Sequence, residues 1–373
     1  MRDKKMTESN KENTIEFFDL GETTKFKQLS KEKIEEIEEN SYSINPIIFD
    51  IFEKLMIQCL KGYDFSDDEI IFEEYQEFYS EVNRIIPNLK QKIIIEDCYS
   101  SVFFIGDTHG AVQESFKLID FFYKLFQKND KIKVVFVGDY VDRNPFDLEN
   151  LTLITAFYLL FPDNVVLIRG NHEDRVINTH YGFIDNLLRT FREKGEDLYE
   201  EIIKFFTHLP LVHIAQMHSG ENIARVMSVH GGIPIDPLNF LEPVILEEIE
   251  SKLICEVDKS DDMDIYSVSM LWSDPDEMIQ GILTGSHLHG RMRFGFPVFK
   301  NFINANNIQL VVRGHQKWNE GYHIFFNGQL YSLFSTQTYD GKIKFDPKIL
   351  RLDYGKPPKI IPINFEPLES ELN

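Results

Sequence analysis

The sequence predicts an α/β fold built on a βαβαβ core, and three observations carry that prediction. Short continuous apolar runs occur at 101–105 (SVFFI), 133–137 (KVVFV) and 164–168 (NVVLI), the pattern of strands buried on both faces. Helix-like stretches at 112–126 and 148–161 separate them, so the strands are joined by crossovers and the sheet is partly parallel. Each apolar run ends in a glycine-containing polar cluster, and open α/β sheets bind ligands beyond the carboxyl ends of their strands.

Residues 1–45 are polar and charged, with 31–40 (KEKIEEIEEN) predicted helical and solvated, and they read as an acidic, partly flexible arm. From 46 to 90 the apolar residues Ile48, Phe49, Ile51, Phe52 and Leu55, then Ile71, Phe72, Tyr75 and Phe78, recur at helical spacing. They predict two lead-in helices packed on the sheet-forming region that comes after them. The second half is richer in β pattern, with strands expected at 209–214, 225–229, 309–312, 322–326 and 329–334. Asn327-Gly328 between the last two is a hairpin-turn signal. Pro357, Pro358, Pro362 and Pro367 mark 356–373 as an extended tail, so the main domain is expected over 46–355.

Composition narrows the function. The chain has 373 residues, with 39 basic and 61 acidic side chains, a net charge of −22. So strong a polyanion is repelled by phosphate backbones, which argues against a nucleic-acid partner. Cys59, Cys98 and Cys255 are far apart, without the spacing of a thiolate metal site or a disulfide framework, and read as reduced thiols. The first residues carry no apolar signal core, and runs such as LITAFYLLF are too short to cross a bilayer. These features predict a soluble, cytoplasmic protein with no membrane partner.

The three polar clusters are Gly106-Asp107-Thr108-His109-Gly110, Gly138-Asp139-Tyr140-Val141-Asp142-Arg143 and Arg169-Gly170-Asn171-His172-Glu173-Asp174. Two further histidines follow apolar runs, His230 in Val229-His230-Gly231-Gly232 and His315 in Val312-Arg313-Gly314-His315. Asp107, His109, Asp139, Asn171, His230 and His315 are hard or borderline ligands, suited to manganese, iron or zinc. Six such groups divided over two ions, one carboxylate bridging, would build a two-metal phosphoesterase centre. Taken singly each residue is more often a hydrogen-bonded core or turn side chain. It is the ordered conjunction of five strand-end clusters that carries the assignment.

The strings GDTHG, GDYVDRN, GNHED, HGGI and RGHQ resemble the signatures of the PPP family of serine/threonine phosphoprotein phosphatases, within the calcineurin-like metallophosphoesterase superfamily. Tyr181-Gly182-Phe183, Leu209-Pro210-Leu211 and Leu271-Trp272-Ser273-Asp274-Pro275 are lesser matches. The resemblance implies a central mixed β-sandwich flanked by helices and hydrolysis of phosphoserine or phosphothreonine by direct attack of a metal-bridging hydroxide. It implies that Asp107, His109 and His315 hold one divalent ion with Asp139, and that Asn171 and His230 hold the second, Asp139 bridging. Manganese is the ion expected to support activity in vitro, with iron and zinc as alternatives. By the same resemblance His172 is the general acid, Asp142 orients it, Arg143 clamps the phosphate with Asn171, and Tyr339 covers the site. A second clamping arginine is Arg291, with Arg293 as the alternative, in His289-Gly290-Arg291-Met292-Arg293. Two positions depart from the family: Asn144 replaces a glycine, which a left-handed backbone at asparagine would accommodate, and Asp340 follows Tyr339 where a cysteine is frequent.

A phosphoprotein substrate and a regulatory or docking protein are the implied partners. Two other functions compete. A dinucleoside-polyphosphate hydrolase shares the metal site but tends to lack the Asp142 equivalent and to carry HAG, whereas this chain has His230-Gly231-Gly232. An inactive scaffold would be expected to have lost ligands, and all six candidates are present.

Overall fold

Helices open the chain because apolar residues at helical spacing have a sheet to bury against. The computed structural model describes residues 46–61, 70–86, 91–284, 291–341 and 343–363. The arm at 1–45, the residues at 285–290 that include His289 and Gly290, and the last ten residues lie outside that set. Helices α1 (Pro46–Leu60) and α2 (Phe72–Ile85) bury Ile48, Phe52, Leu55, Tyr75, Phe78 and Tyr79. Strands β1 (Ile93–Cys98) and β2 (Val102–Ile105) come next, then α3 (Val112–Phe126), β3 (Lys133–Phe136), α4 (Asp147–Leu160) and β4 (Val165–Leu167).

The middle of the chain holds α5 (Arg175–Tyr181), α6 (Phe183–Phe191), α7 (Lys194–His208), β5 (Val212–Ser219) and β6 (Asn222–Val229). After the short α8 (Leu246–Ile249) and α9 (Ile265–Trp272) come β7 (Asp274–Pro275), β8 (Ile282–Thr284), β9 (Met292–Phe294) and α10 (Phe296–Ala305). The chain finishes with β10 (Leu310–Arg313), β11 (Tyr322–Phe325), β12 (Leu330–Leu333), β13 (Thr338–Tyr339), β14 (Ile343–Lys344), β15 (Lys348–Leu352) and β16 (Lys359–Pro362).

These strands form two principal sheets, ordered β16-β15-β2-β3-β4 and β1-β5-β6-β10-β12-β11. The expected crossovers are present: β2 pairs parallel with β3, and β3 with β4. Antiparallel β15 against β2 makes that sheet mixed. Phe104, Val135 and Val166 of one sheet share a buried cluster with Ala215, Val226, Val312 and Leu333 of the other, so the sheets are stacked as a sandwich. On the outer face of the first sheet Phe103 packs edge-on against Phe121 and Phe122 of α3. Outside the second, Met227 and Val311 share a core with Met270, Phe299 and Phe302. The architecture is therefore helix, sheet, sheet, helix.

Several elements differ from the sequence reading. Strand β1 was not expected: its burial alternates, with Glu96 and Asp97 on an edge, so the continuous apolar run typical of the central strands is missing. The hairpin around Asn327-Gly328 is present, with left-handed backbone at both residues (φ 55° and 85°) and β11 antiparallel to β12. The segment read from its prolines as a tail from 356 instead supplies β16, paired antiparallel with β15. It is an edge strand, where a proline without an N–H is tolerated.

Candidate active site

The strand ends of both sheets meet at one place. From the first sheet, β2 delivers Asp107 and His109, β3 delivers Asp139 to Arg143, and β4 delivers Asn171 and His172. From the second, β6 delivers His230 and β10 delivers His315. The loops approach so closely that side chains are excluded from the crossing points. A Cβ on Gly170 would lie 2.3 Å from the Asp139 nitrogen, and one on Gly314 would lie 2.2 Å from Asp107 Oδ1. The backbone itself is forced: His109, Asp139, Asp142, Arg143 and His315 all have positive φ, between 40° and 79°. Left-handed backbone at such residues costs roughly 1–3 kcal/mol each and is retained where the surroundings over-determine it.

All six candidate ligands converge. Asp139 belongs to two clusters of ligand atoms, one with His109 and His172 and one with His230 and His315. Its Oδ2 is 3.4 Å from His109 Nε2 and its Oδ1 is 3.2 Å from His230 Nε2. Asp107 Oδ2 lies 3.9 Å from His109 Nε2. Asn171 Oδ1 is 2.8 Å from His230 Nε2 and 2.7 Å from His315 Nδ1. The grouping therefore corrects one sequence expectation. The His315 imidazole sits with Asn171 and His230, and only its backbone N–H reaches Asp107, at 2.9 Å. The short Gly314 step after β10 turns the ring toward the second cluster.

This constellation fits a pair of cations. Asp107 Oδ2 is buried with no hydrogen-bond partner among the described residues. An orphaned carboxylate oxygen in so dry a place calls for a positive charge. His109 Nδ1 and His230 Nδ1 contact the carbonyls of Val141 (2.9 Å) and Val137 (2.8 Å). Those bonds fix the tautomer that leaves each Nε2 free as a ligand. Burial first, and then the charge of Asp139, push the Asp107 carboxyl up to about 7. Burial and the neighbouring His172 hold His109 down to about 3, so it is a neutral imidazole ready to coordinate.

Next to the ligands lies the proton-handling pair. His172 Nδ1 is 2.7 Å from Asp142 Oδ2, and both are buried. Burial opposes the imidazolium, but the charge of Asp139 and the bond to Asp142 raise the His172 pKa above its ordinary value. Asp142 is held in turn by Asn178 Nδ2 (2.9 Å) and the Phe183 N–H (3.0 Å). Asn178 also donates to the His172 carbonyl at 2.8 Å, locking the pair.

The anion clamp is assembled from aromatic faces. The Arg143 guanidinium lies 3.7 Å from the Tyr181 ring centre and 4.9 Å from that of Tyr339. Its Nε has no hydrogen-bond partner among the described residues, and Asp340 Oδ1 is 3.6 Å from Nη1. Tyr181 also contacts His172, with ring centres 5.2 Å apart, so one ring supports both clamp and acid. Tyr339 is buried edge-on to His109 at 5.2 Å. The two candidate second arginines separate. Arg291 Nη2 lies 3.2 Å from His315 Nε2, at the site, while Arg293 is tied to Asp276 at 2.8 Å.

Asn144 is a further correction. The left-handed residues here are Asp142 and Arg143, and Asn144 is not among them. Its side chain donates instead to the carbonyls of His109 (2.6 Å) and Thr338 (2.7 Å), stitching the covering loop to the ligand loop.

Sequence reasoning passed over Glu173, Asn178 and Arg313. Glu173 accepts the N–H groups of Asp139, Tyr140 and Gly170 at 2.8, 2.8 and 2.7 Å, joining two ligand loops. Arg313 is fully buried and binds the Gly231 carbonyl, Gln316 (2.7 Å) and Asp274 (3.0 Å), joining the loops that carry His230 and His315. A charged residue inside an otherwise apolar strand end was the available signal for both Glu173 and Arg313. Asn178 gave none.

Comparison with known proteins places this geometry. A calcineurin-like phosphoesterase family model matches residues 100–318. The chain is 32% identical to the serine/threonine-protein phosphatase 4 catalytic subunit of Kluyveromyces lactis over 251 residues, 66% of this chain and 73% of that protein. It is 31% identical over 251 residues to a probable serine/threonine-protein phosphatase of Encephalitozoon cuniculi, covering 67% of this chain and spanning about half (50%) of that relative. A solved serine/threonine phosphatase from Saccharomyces cerevisiae, described as similar to human phosphatase PP5, superposes with a TM-score of 0.64. That similarity is at 21% identity, over 84% of this chain and 96% of the other, and bears on the fold.

Proposed function

The chain belongs to the calcineurin-like phosphoesterases, in the PPP family of serine/threonine phosphatases, and from that membership we propose that it is a metal-dependent phosphoprotein phosphatase acting on phosphoserine and phosphothreonine. The observation that carries this reading is the buried His172–Asp142 pair beside the shared carboxylate Asp139. Phosphoserine leaves as a poor alkoxide, so its hydrolysis gains most from a positioned acid.

Asp107, His109 and Asp139 would hold one divalent ion, and Asp139, Asn171, His230 and His315 the other. Bound there, the ions supply Lewis-acid polarisation of the phosphoryl group and lower the pKa of attacking water. The chain's own residues do the rest. Arg143, stacked between Tyr181 and Tyr339, grips phosphoryl oxygens with a planar fork that lysine lacks. Arg291 and Asn171 add contacts from the opposite side. His172 gives its proton to the departing oxygen while Asp142 holds the ring in place and stabilises its charge. Manganese is the proposed ion in vitro, with iron or zinc as the alternatives. The three buried, free cysteines support a reducing, cytoplasmic setting, and no helix among the described residues is long and apolar enough to cross a membrane.

A dinucleoside-polyphosphate hydrolase is the rival reading. Asp142, with its three hydrogen bonds, and His230-Gly231-Gly232 support phosphoprotein substrates over it. Offered a phosphoserine peptide and a dinucleoside tetraphosphate in parallel with manganese, the protein should turn over the peptide faster. Faster cleavage of the dinucleotide would reassign it, and inactivity on both and on an aryl phosphate, across several metals, would leave only the scaffold reading.

A further inference from the structure

The acidic residue beside the clamp has no part in the chemistry above, yet the fold holds it firmly. Asp340 and Gly341 form the turn between β13 and β14, both with left-handed backbone (φ 53° and 64°). The Asp340 N–H donates to the Arg143 carbonyl at 3.2 Å. Asn144 ties the preceding strand through the Thr338 carbonyl, and Glu114 Oε1 accepts the Gln337 N–H at 3.1 Å. A carboxylate anchored at these points, 3.6 Å from the Arg143 guanidinium, has its side chain 50% exposed to solvent. It therefore faces both the bound phosphate and whatever extends from it.

Its charge is unfavourable for the phosphate itself. Arg143, Arg291 and Lys317, the last 4.6 Å from the Tyr339 ring centre, present cations to a dianion. A carboxylate a few ångströms from the clamp opposes them, and a half-exposed charge is screened without being silenced. The opposition is offset when the substrate brings a cation to the same spot, and it doubles when the substrate brings another anion. We propose that Asp340 is a specificity-determining residue: it favours phosphosites with Lys or Arg within two positions of the phosphorylated residue and disfavours those flanked by carboxylates or a second phosphate. The inference rests on the phosphatase reading and names its substrate class.

The test compares the full-length, manganese-loaded chain with its Asp340→Asn variant. Asparagine keeps the size and tolerates the left-handed turn. Three phosphoserine peptides identical except for Lys, Ala or Glu flanks are assayed alongside an aryl phosphate. Wild type should rank them Lys, Ala, Glu in kcat/KM, and Asp340→Asn should shrink the Lys-to-Glu ratio by roughly three- to ten-fold, chiefly through KM. The wild-type ratio should also fall as salt rises from about 0.05 M to about 0.5 M. A ratio unchanged by the substitution in a variant that hydrolyses the aryl phosphate overturns the proposal. Should the variant melt early, a wild-type ratio that ignores salt overturns it. A wild type inactive on the aryl phosphate removes the phosphatase reading, and this inference with it.

Discussion

Replacing Glu173 with glutamine should disable the metal site without touching a ligand. The carboxylate is fully buried and accepts three backbone N–H groups: Oε2 takes those of Asp139 and Gly170, and Oε1 that of Tyr140. Two of these donors flank Asp139, whose φ of 57° must be maintained for its side chain to face both clusters. A glutamine oxygen can serve two donors only, and its amide nitrogen then confronts the third N–H. One unsatisfied donor costs about 1–3 kcal/mol, and two bonds reduced from ionic to neutral acceptors lose about 1 kcal/mol each, giving roughly 3–5 kcal/mol. Part of that loss appears as a melting temperature lower by about 5 °C or more. The rest appears at the metal: loosening the Asp139 backbone should weaken manganese binding about 10- to 100-fold, as removal of a ligand's support does elsewhere. Calorimetric metal titration and thermal melts of the metal-free and metal-loaded proteins measure the two parts. A Glu173→Gln protein that melts within a degree or so of wild type and binds manganese equally well would refute the idea that this carboxylate holds the ligand loops.

Two further outcomes follow from the same geometry. His172→Asn should lower kcat on a phosphoserine peptide by roughly 10²–10⁴ but act far less on an aryl phosphate, whose leaving group needs no acid; equal losses on both would remove the general-acid role. Glu149, in the first turn of α4, is pushed by burial from 4.5 to about 7, beside Cys59, Tyr75 and Tyr79 of the lead-in helices. A carboxyl raised in the folded state binds its proton more tightly there than in the unfolded chain, so stability falls as pH rises from 4.5 through about 7. Glu149→Gln should leave stability at pH near 4 unchanged and add up to about 3 kcal/mol near pH 8, read from denaturant melts at both values. A gain that is the same at both pH values would show that ionisation is not the cause.

The legible parts of this chain were those in which burial is continuous. Strands β2, β3 and β4 announced themselves as apolar runs because both faces are covered, and the clusters at their ends held Asp107, His109, Asp139 and Asn171. Edge strands β1 and β16 were hidden for the opposite reason: Glu96, Asp97 and Pro362 face solvent or a ladder end, and nothing in their period distinguishes them from loop. Site membership was readable, but partition was not. Which ion His315 serves depends on a ring direction set by the Gly314 step and the packing of its ring against His230 (centroids 5.2 Å apart), information distributed over two sheets. The same limit explains Asn144. Its side chain bridges His109 and Thr338, residues remote from one another in sequence, and a motif can report only that a glycine is missing.

The sheet order has a consequence for how the protein is made. Strand β2, which presents Asp107, is flanked by β3 on one side and by β15 on the other, where Ile105 pairs with Ile349. Asp107 itself bridges to Phe334. During synthesis the first three ligand-bearing loops emerge long before the segments that close the sheet and seat His315. Non-local pairing of this kind is slow and leaves strand edges open while it waits. A ribosome-bound chain thus carries Asp107, Asp139 and Asn171 without a site to put them in, and the enzyme becomes competent to capture metal only near the end of its own translation.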